Sequence, residues 1–347
     1  GTVGAAASED VTFIDDGQDF ATTSGGHTDG LSSNTKVIKL DSVSGLDIQP
    51  GDVVSVKDTS FSGTVASGGV SATALVASSL SVSSAHTSLD PSDSSLTFIK
   101  LSGFPSVGQI LSGDALIIGN FTAELAGGSS TNSFKSFSGS QIKSGQTFTT
   151  SSTILRLGSS VSSSDLALIS SSDGDKVEIG TLEFDVGSFG ASTSLSVASF
   201  GCSGISNGSL SGSGSVTING IGSSDLVGAE AGDTITIGGF SAEISSIGSS
   251  SVTVTGGVGS ESDPSGQSTG FVTTVGIALQ SGSGSGPESS PSTVFVKGPS
   301  LTLSTKGGST QSSPGGASTR TITRQGIPLQ SVSGTASVSS GTKLTLK

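Results

Sequence analysis

Apolar and polar residues alternate along this chain in a short pattern that occurs more than once. Its clearest copy covers residues 232–244 and reads GDTITIGGFSAEI, and a second covers residues 113–125 and reads GDALIIGNFTAEL. Two looser copies begin at Gly51-Asp52 and Gly174-Asp175. The four aspartates, at positions 52, 114, 175 and 233, are separated by 62, 61 and 58 residues (114 − 52, 175 − 114, 233 − 175). A period of this size is typical of tandem modules.

Each copy predicts a β-hairpin that follows a Gly-Asp turn. Alternate apolar residues of a strand fall on one face, so Leu116 with Ile118 and Ile235 with Ile237 are predicted core positions. Two-residue breaks at 119–120, 180–181 and 238–239 suit tight hairpin turns, whose positive φ angles Gly and Asn tolerate. An aromatic residue, predicted to pack into the core, opens the second strand of three copies: Phe61, Phe121 and Phe240. Further apolar strands are predicted upstream of the turns, at 37–40, 96–101, 154–157 and 216–221, and a third strand at 249–255.

The pattern therefore predicts an all-β fold of tandem small antiparallel β-sandwich or barrel modules with a repeat of about 60 residues. A degenerate fifth module is expected at 271–331, with Ser292 in the place of the aspartate. The last strand, 343–347, is expected to close the first or last module or to pair with a neighbouring subunit. Stretches 281–286 and 304–318 indicate flexible loops or linkers. The predicted divisions are an N-terminal arm at 1–35, β modules at 36–95, 96–153, 154–212 and 213–270, the degenerate module at 271–331 and a C-terminal strand at 332–347.

Composition narrows the classes of function. The formal charge is −13 with only 14 Lys and Arg, so the basic footprint that nucleic-acid binding needs is missing and no nucleic-acid partner is expected. The densest apolar runs, such as 115–118, are too short to predict a membrane span. One cysteine, Cys202, excludes an intramolecular disulfide and is predicted to be a small buried side chain. Small modules without disulfides are expected to gain stability from neighbouring modules or subunits.

Two acidic groups are candidate calcium sites, because calcium prefers carboxylate oxygens. The first is Asp15, Asp16 and Asp19, and the second is Asp173 with Asp175. Solvated acidic turns are the competing interpretation, since neither group has the regular alternating spacing of a known calcium loop. Asp also caps turns through its own backbone, which is the favoured interpretation of the four recurring aspartates. Apart from calcium, the sequence predicts no cofactor.

The chain contains few residues of the types that commonly act in catalysis. The two histidines, His27 and His86, and the single cysteine offer few zinc ligands. The pattern G-x-S-x-G occurs at 204–208 and 266–270 without a strand-then-helix context, and such matches are expected by chance where Ser and Gly are abundant. The sequence accordingly assigns no catalytic or cofactor-binding residue. Sequons at Asn120 and Asn207 would permit N-glycosylation in a suitable host.

The order of an apolar strand, a loop, the Gly-Asp hairpin and a Ser/Thr-Val strand resembles small β modules of bacteriophage tail and fibre proteins and of prokaryotic surface-filament proteins. The resemblance depends on 232–255 and 113–125, with looser support at 51–65 and 174–184. It implies a non-enzymatic structural subunit of an extracellular, cell-surface or virion assembly. Such a subunit would join copies of itself, or other surface or virion proteins, by strand pairing and module packing. The alternatives are an adhesin that binds receptors or glycans and a secreted hydrolase.

Overall fold

The computed structural model describes residues 19–21, 30–42, 44–67, 71–77, 80–103, 110–126, 130–339 and 341–346. These residues belong to two compact units. Unit 1 draws on Gly1–Asn132 and on Pro299–Lys347, whereas unit 2 is the single stretch Ser133–Gly298. Unit 1 is therefore completed by residues that follow unit 2 in the sequence.

The fold is all-β, and its strands pair in antiparallel sheets. Before the boundary at 132 the strands are β1 (Asp19–Ala21), β2 (Val37–Lys39), β3 (Val53–Val56), β4 (Ser62–Val65), β5 (Ser71–Ala77), β6 (Phe98–Lys100), β7 (Ala115–Ile118) and β8 (Phe121–Leu125). They are followed by β9 (Ser130–Ser138), β10 (Thr147–Phe148), β11 (Ile154–Arg156), β12 (Lys176–Ile179), β13 (Leu182–Phe200), β14 (Leu210–Ser211), β15 (Val216–Asn219) and β16 (Thr234–Ile237). The last are β17 (Phe240–Ile247), β18 (Ser251–Glu261), β19 (Gly270–Gly284), β20 (Glu288–Ser289), β21 (Thr293–Gly308), β22 (Arg320–Ser333) and β23 (Lys343–Leu346). Helix within the described residues is limited to α1 (Ser163–Leu166) and the 3₁₀ turns Ser171–Asp173, Pro264–Gly266 and Pro314–Gly316.

Unit 1 contains two hydrophobic cores. Core 1 is built on Ile38, Val54, Phe61, Ile327 and Leu344. Core 2 is built on Ile99, Leu116, Phe121, Leu301 and Ile322. Strand β22 serves both cores, because its first half pairs with β7 and its second half with β2 and β4. Strands β21 and β23 pair with β6, β8 and β3, so the C-terminal residues supply strand partners to both cores.

Unit 2 also contains two hydrophobic cores. Core 3 is built on Leu155, Val177, Phe184, Ile277 and Val294. Core 4 is built on Ile218, Ile235, Phe240, Val254 and Val272. Strand β19 corresponds to β22, since its first half pairs with β16 and its second half with β11.

The predicted hairpins are confirmed where the turns are two residues long. Ile118 pairs with Phe121, Ile179 with Leu182 and Ile237 with Phe240, and the first residue of each turn, Gly119, Gly180 or Gly238, has a φ of 55–56°. The upstream strands are β2, β6, β11 and β15, and the predicted third strand is β18. The aromatic positions Phe61, Phe121 and Phe240 are buried as predicted. Period-two alternation located these elements because their two faces meet core and solvent.

Residues 271–331 differ from the expected fifth module. Their buried side chains belong to all four cores, including Val272 in core 4, Val294 in core 3, Leu301 in core 2 and Ile327 in core 1. Residues 281–284 and 304–308 lie in β19 and β21 and not in loops. The last strand, β23, pairs in unit 1 with β1 and β3, whose residues come from the N-terminal part of the chain. These strands alternate apolar and polar residues as a local module would, but their partners are distant in sequence.

Strands β19 and β22 share a motif that the hairpin pattern does not include. Residues 264–281 and 314–331 both read P-x-G-x-S-T, then three residues, then T-x-x-G-I-x-L-Q-S, at an offset of 50 positions (314 − 264). The second shared glycine of the motif, Gly276 in one copy and Gly326 in the other, pairs with Arg156 of β11 and Lys39 of β2 respectively. A Cβ on either would collide with the carbonyl of Leu155 or Ile38, so close strand approach requires glycine there.

Candidate functional site

The Gly-Asp turns share one pattern of hydrogen bonds. In three turns the glycine N–H donates to the strand that returns from the hairpin: Gly51 to Val65 at 3.0 Å, Gly113 to Leu125 at 2.8 Å and Gly232 to Ile244 at 2.6 Å. The N–H of each of these strand residues donates back to the aspartate carbonyl, at 2.8 Å, 2.9 Å and 2.8 Å. The carboxylates accept a preceding backbone N–H, from Gln49 at 2.7 Å, Leu111 at 2.8 Å, Ser170 at 2.7 Å and Glu230 at 2.8 Å. The recurring aspartates therefore cap their turns through the backbone.

Asp114 also forms a buried ion pair that local sequence does not indicate. Its carboxylate accepts from Arg324 Nε at 2.8 Å and Nη2 at 2.6 Å, a bidentate arrangement. Arg324 Nη1 donates to the Val37 carbonyl at 3.2 Å, and Lys39 Nζ donates to the Ser112 carbonyl. Burial lowers the pKa of Lys39, and the nearby Asp114 carboxylate opposes that shift. We call Asp114, Arg324, Lys39 and Glu124 the Asp114 cluster.

Asp233 forms the corresponding cluster in unit 2. Arg156 Nη1 donates to Asp233 Oδ2, and Lys143 Nζ lies 3.0 Å from Asp233 Oδ1. Arg156 Nε lies 3.4 Å from Glu230 Oε2. Burial alone would raise the pKa of Asp233, but hydrogen bonds from Arg156, the Glu230 N–H and the Thr274 hydroxyl lower it overall. We call Asp233, Arg156, Lys143 and Glu230 the Asp233 cluster.

Both clusters lie where one strand passes between two cores. On β22, Arg324 comes between Ile322 of core 2 and Ile327 of core 1. On β19, Thr274, which bonds Asp233, comes between Val272 of core 4 and Ile277 of core 3. A carboxylate that is buried, ion-paired and bonded to backbone N–H groups is fully engaged, so these clusters join the cores of a unit.

Asp52 differs from Asp114 and Asp233. It has the same turn hydrogen bonds, yet it is only partly buried and no Lys or Arg pairs with it among the described residues. A buried cation is therefore not a requirement of the Gly-Asp turn itself.

The candidate calcium ligands fall in two places. Asp15 and Asp16 lie outside the described residues, and of Asp19 only the backbone is described, in β1 opposite Thr345. Asp173 and Asp175 are both buried, and Asp175 Oδ2 accepts the Ser170 N–H at 2.7 Å. The described residues bring no three His, Cys, Asp or Glu side chains together in a group suited to a metal ion. Calcium binding stays a prediction.

Cys202, His86 and the G-x-S-x-G matches are the potential nucleophiles and bases, and each has a surrounding that does not favour catalysis. Cys202 is buried as predicted, and burial raises the pKa of its thiol, which disfavours the reactive thiolate. Burial, with a smaller effect from Lys100, lowers the pKa of His86 to about 4, and its Nε2 is buried without a hydrogen bond. Of the two G-x-S-x-G matches, the second runs from a 3₁₀ turn into β19, which is the reverse of the strand-then-helix order of a nucleophile elbow.

Hairpin turns are covered by side chains from later in the chain. The Thr181 N–H donates to Glu288 Oε1 at 3.1 Å, and the Gly239 N–H donates to Glu261 Oε2 at 3.2 Å. A Cβ added at Gly119 would collide with Gln311 in the same way that one at Gly180 or Gly238 would collide with these acids. The positive φ at the first position of each turn therefore favours glycine, and these side chains would have to shift to admit a Cβ.

The two sequons have different surroundings. Asn120 is exposed in the β7–β8 turn, as predicted. Asn207 Nδ2 donates to the Thr217 carbonyl at 2.6 Å, and its Oδ1 accepts the Asn219 N–H at 3.3 Å. The Asn207 amide thus forms hydrogen bonds with backbone groups along one edge of β15. The sequon did not indicate this role.

Comparison of the chain with protein-family models, curated proteins and solved structures finds no match. Within the described part of the chain, no helix has the length and apolar character needed to cross a membrane.

Proposed function

We propose that this protein is a non-enzymatic structural subunit of an extracellular or virion assembly such as a filament, fibre or surface shell. The observation that supports the proposal most strongly is that the buried aspartates have structural partners. Asp114 and Asp233 are held by cations and backbone N–H groups between two cores, where they fix structure and leave no free group for proton transfer. Copies of the chain, with other surface or virion proteins as further partners, are the proposed components.

Tandem modules with a repeat of about 60 residues are part of this proposal. Four cores, each with a Gly-Asp turn and a hairpin, support it. Each module takes its remaining strands from the C-terminal part of the chain, so the modules are not independent beads. Coupling through shared strands would give a stiff unit suited to an extended assembly.

Electron microscopy of the native material at neutral pH, with and without a calcium chelator, tests the proposal. We expect regular filaments or particles in which this chain is the repeating subunit. Dissolution by the chelator would support the predicted calcium sites, and unchanged assemblies would argue against them. Only dispersed monomers under both conditions would contradict the structural role.

An adhesin is the second candidate, favoured by one row of exposed and partly buried residues on β19, β16, β17 and β18. Phe271 pairs with Thr236, Thr236 with Ser241, and Ser241 with Val258, so these four side chains share one face of the sheet. Phe271 is 46% exposed and Val258 is 72% exposed. An exposed aromatic ring beside hydroxyls suits sugar binding. A glycan array with wild type and Phe271→Ala tests this role, and equal signals from the two would reject it.

A further inference from the structure

The closing segment, residues 299–346, supplies strands that unit 1 cannot form from its earlier residues. It contains the second half of β21, all of β22 and β23, which pair with β2 to β8. It also places Leu301 and Ile322 in core 2 and Ile327 and Leu344 in core 1. Without this segment both cores would be open and their strands would have unpaired edges, which readily accept a matching strand.

A buried charge makes this strand acceptor selective. Asp114 is fully buried, and its partner Arg324 is 210 residues away on the closing segment. A strand without an arginine at that register would leave the buried carboxylate without its bidentate partner, which is strongly unfavourable. The register of β22, with Thr323 opposite Ala115, therefore favours a segment that carries an arginine at the next position, as this chain's own β22 does.

The closing segment begins inside a strand. The units meet in sequence at Gly298–Pro299, within the 16-residue strand β21, so no turn marks the boundary. Unit 2 is one continuous stretch with its own two cores, whereas unit 1 depends on a segment from the other side of unit 2. The segment can therefore occupy the acceptor of its own chain or that of another copy through the same contacts, which is the condition for strand exchange.

We propose that the closing segment of one copy completes unit 1 of a second copy, and that this exchange joins the subunits. The inference rests on the proposed structural function and specifies its interface. When a copy gives its segment to one neighbour and receives a segment from another, the contact is head-to-tail and an open chain of copies extends into a filament. Arg324 of the donor pairs with Asp114 of the acceptor at every joint.

Engineered disulfides distinguish exchange from closure within one chain. Ala115→Cys with Thr323→Cys places a pair across β7 and β22, and Ser55→Cys with Thr345→Cys places an independent pair across β3 and β23. Directly opposite residues have Cβ atoms about 4.5–5.5 Å apart, close to the separation that a disulfide spans. Thr234→Cys with Thr273→Cys is the matched control, because it joins the corresponding strands β16 and β19 inside unit 2. All variants carry Cys202→Ala to remove the native thiol.

The assembled fraction of each full-length variant is oxidised and analysed by non-reducing electrophoresis. Exchange predicts a ladder of covalent dimers, trimers and larger species for both unit 1 pairs, and monomers for the control. Assemblies whose unit 1 pairs give only intrachain disulfides would overturn the exchange and leave the structural function standing. Material that stays monomeric by size-exclusion chromatography, with intrachain disulfides only, would overturn both.

Discussion

The two units have similar cores and similar buried aspartates, but they build them from different parts of the chain. Each has two cores joined at a buried aspartate, and each places that aspartate after a glycine in the same turn. In unit 2 the arginine that pairs with Asp233 is 77 residues away and belongs to the same continuous stretch. In unit 1 the arginine that pairs with Asp114 is 210 residues away on the closing segment. Similar geometry therefore produces one self-contained unit and one that depends on a distant segment.

The Gly-Asp turn and the cation that pairs with its aspartate have different structural roles. Among the described residues the Gly-Asp turn at Asp52 has no cationic partner, so backbone hydrogen bonds suffice for the hairpin. The cation adds the link between cores, and it comes from β22 in one unit and β11 in the other. The strand that carries the arginine therefore differs between the units, although the Gly-Asp turn and its carboxylate are the same.

Replacing the arginines should have the largest effect and should differ between units. Arg324→Met leaves Asp114 buried without its bidentate partner, and we expect a loss of about 3–5 kcal/mol in the free energy of opening unit 1. Arg156→Met should cost unit 2 less, about 1–3 kcal/mol, because Lys143 stays 3.0 Å from Asp233. Native-state hydrogen exchange of core amides measures each unit separately. Equal losses would show that Lys143 contributes nothing.

Acid should weaken unit 1 through His86, whereas the residues of unit 2 include no histidine. The folded pKa of His86, about 4, lies below its ordinary value of 6.5, so the unfolded chain binds the proton more tightly. Its stabilising effect is complete above pH 6.5 and is lost as the pH falls towards 4, by about 3 kcal/mol in total. Hydrogen exchange at pH 7 and pH 4.5 should show this loss in unit 1. In His86→Phe the pH dependence over this range should shrink, and an unchanged profile would exclude His86 as its source.

Substitutions in the tight turns should have similar, moderate effects in both units. Gly119→Ala and Gly238→Ala place a Cβ at φ 56° and 55°, where it also collides with Gln311 or Glu261. We expect each to cost about 1–2 kcal/mol, measured by hydrogen exchange of the hairpin amides. Gly139→Ala is the control, since its added Cβ would come no closer than 3.6 Å to the Ser292 carbonyl. A cost at Gly139 equal to that in the turns would contradict the explanation.

The exposed ion pair of Lys176 and Glu183 should have the smallest effect. Their contact is 2.6 Å, but both side chains are 44% exposed, and such pairs contribute about 0–1 kcal/mol. Lys176→Ala should therefore leave the stability of unit 2 nearly unchanged in the same experiment. A loss as large as that of Arg156→Met would mean that burial does not determine the strength of these pairs.

The sequence predicted the hairpins well because their signals are local. Glycine at 119, 180 and 238 fixes each turn, and alternation of apolar residues fixes the buried face. The partners of β21 and β22 could not be predicted in this way, because strand register across hundreds of residues is set by core packing. The motif shared by 264–281 and 314–331 is present in the sequence, but it lies outside the hairpin pattern from which the predictions were made.

The sequence predicted the aspartates of the two clusters but not their cationic partners. Asp114 and Asp233 stood out by their spacing, and their role in the turn followed from the known behaviour of Asp before a strand. Lys39 and Arg156 were visible only as charged residues in or beside predicted apolar strands. Their approach to the aspartate of the next turn depends on how cores pack, which local spacing does not encode.

The most direct test of the account is peptide-resolved hydrogen–deuterium exchange of wild type, Arg324→Met and Arg156→Met under native conditions. We expect that Arg324→Met raises exchange in β2, β3, β7 and β8, covering cores 1 and 2, and that β11 and β16 stay protected. Arg156→Met should raise exchange in β11 and β16 and spare β2 and β7. Faster exchange limited to a few residues around each arginine, or spread equally over both units, would contradict the claim that each buried aspartate joins the two cores of its own unit.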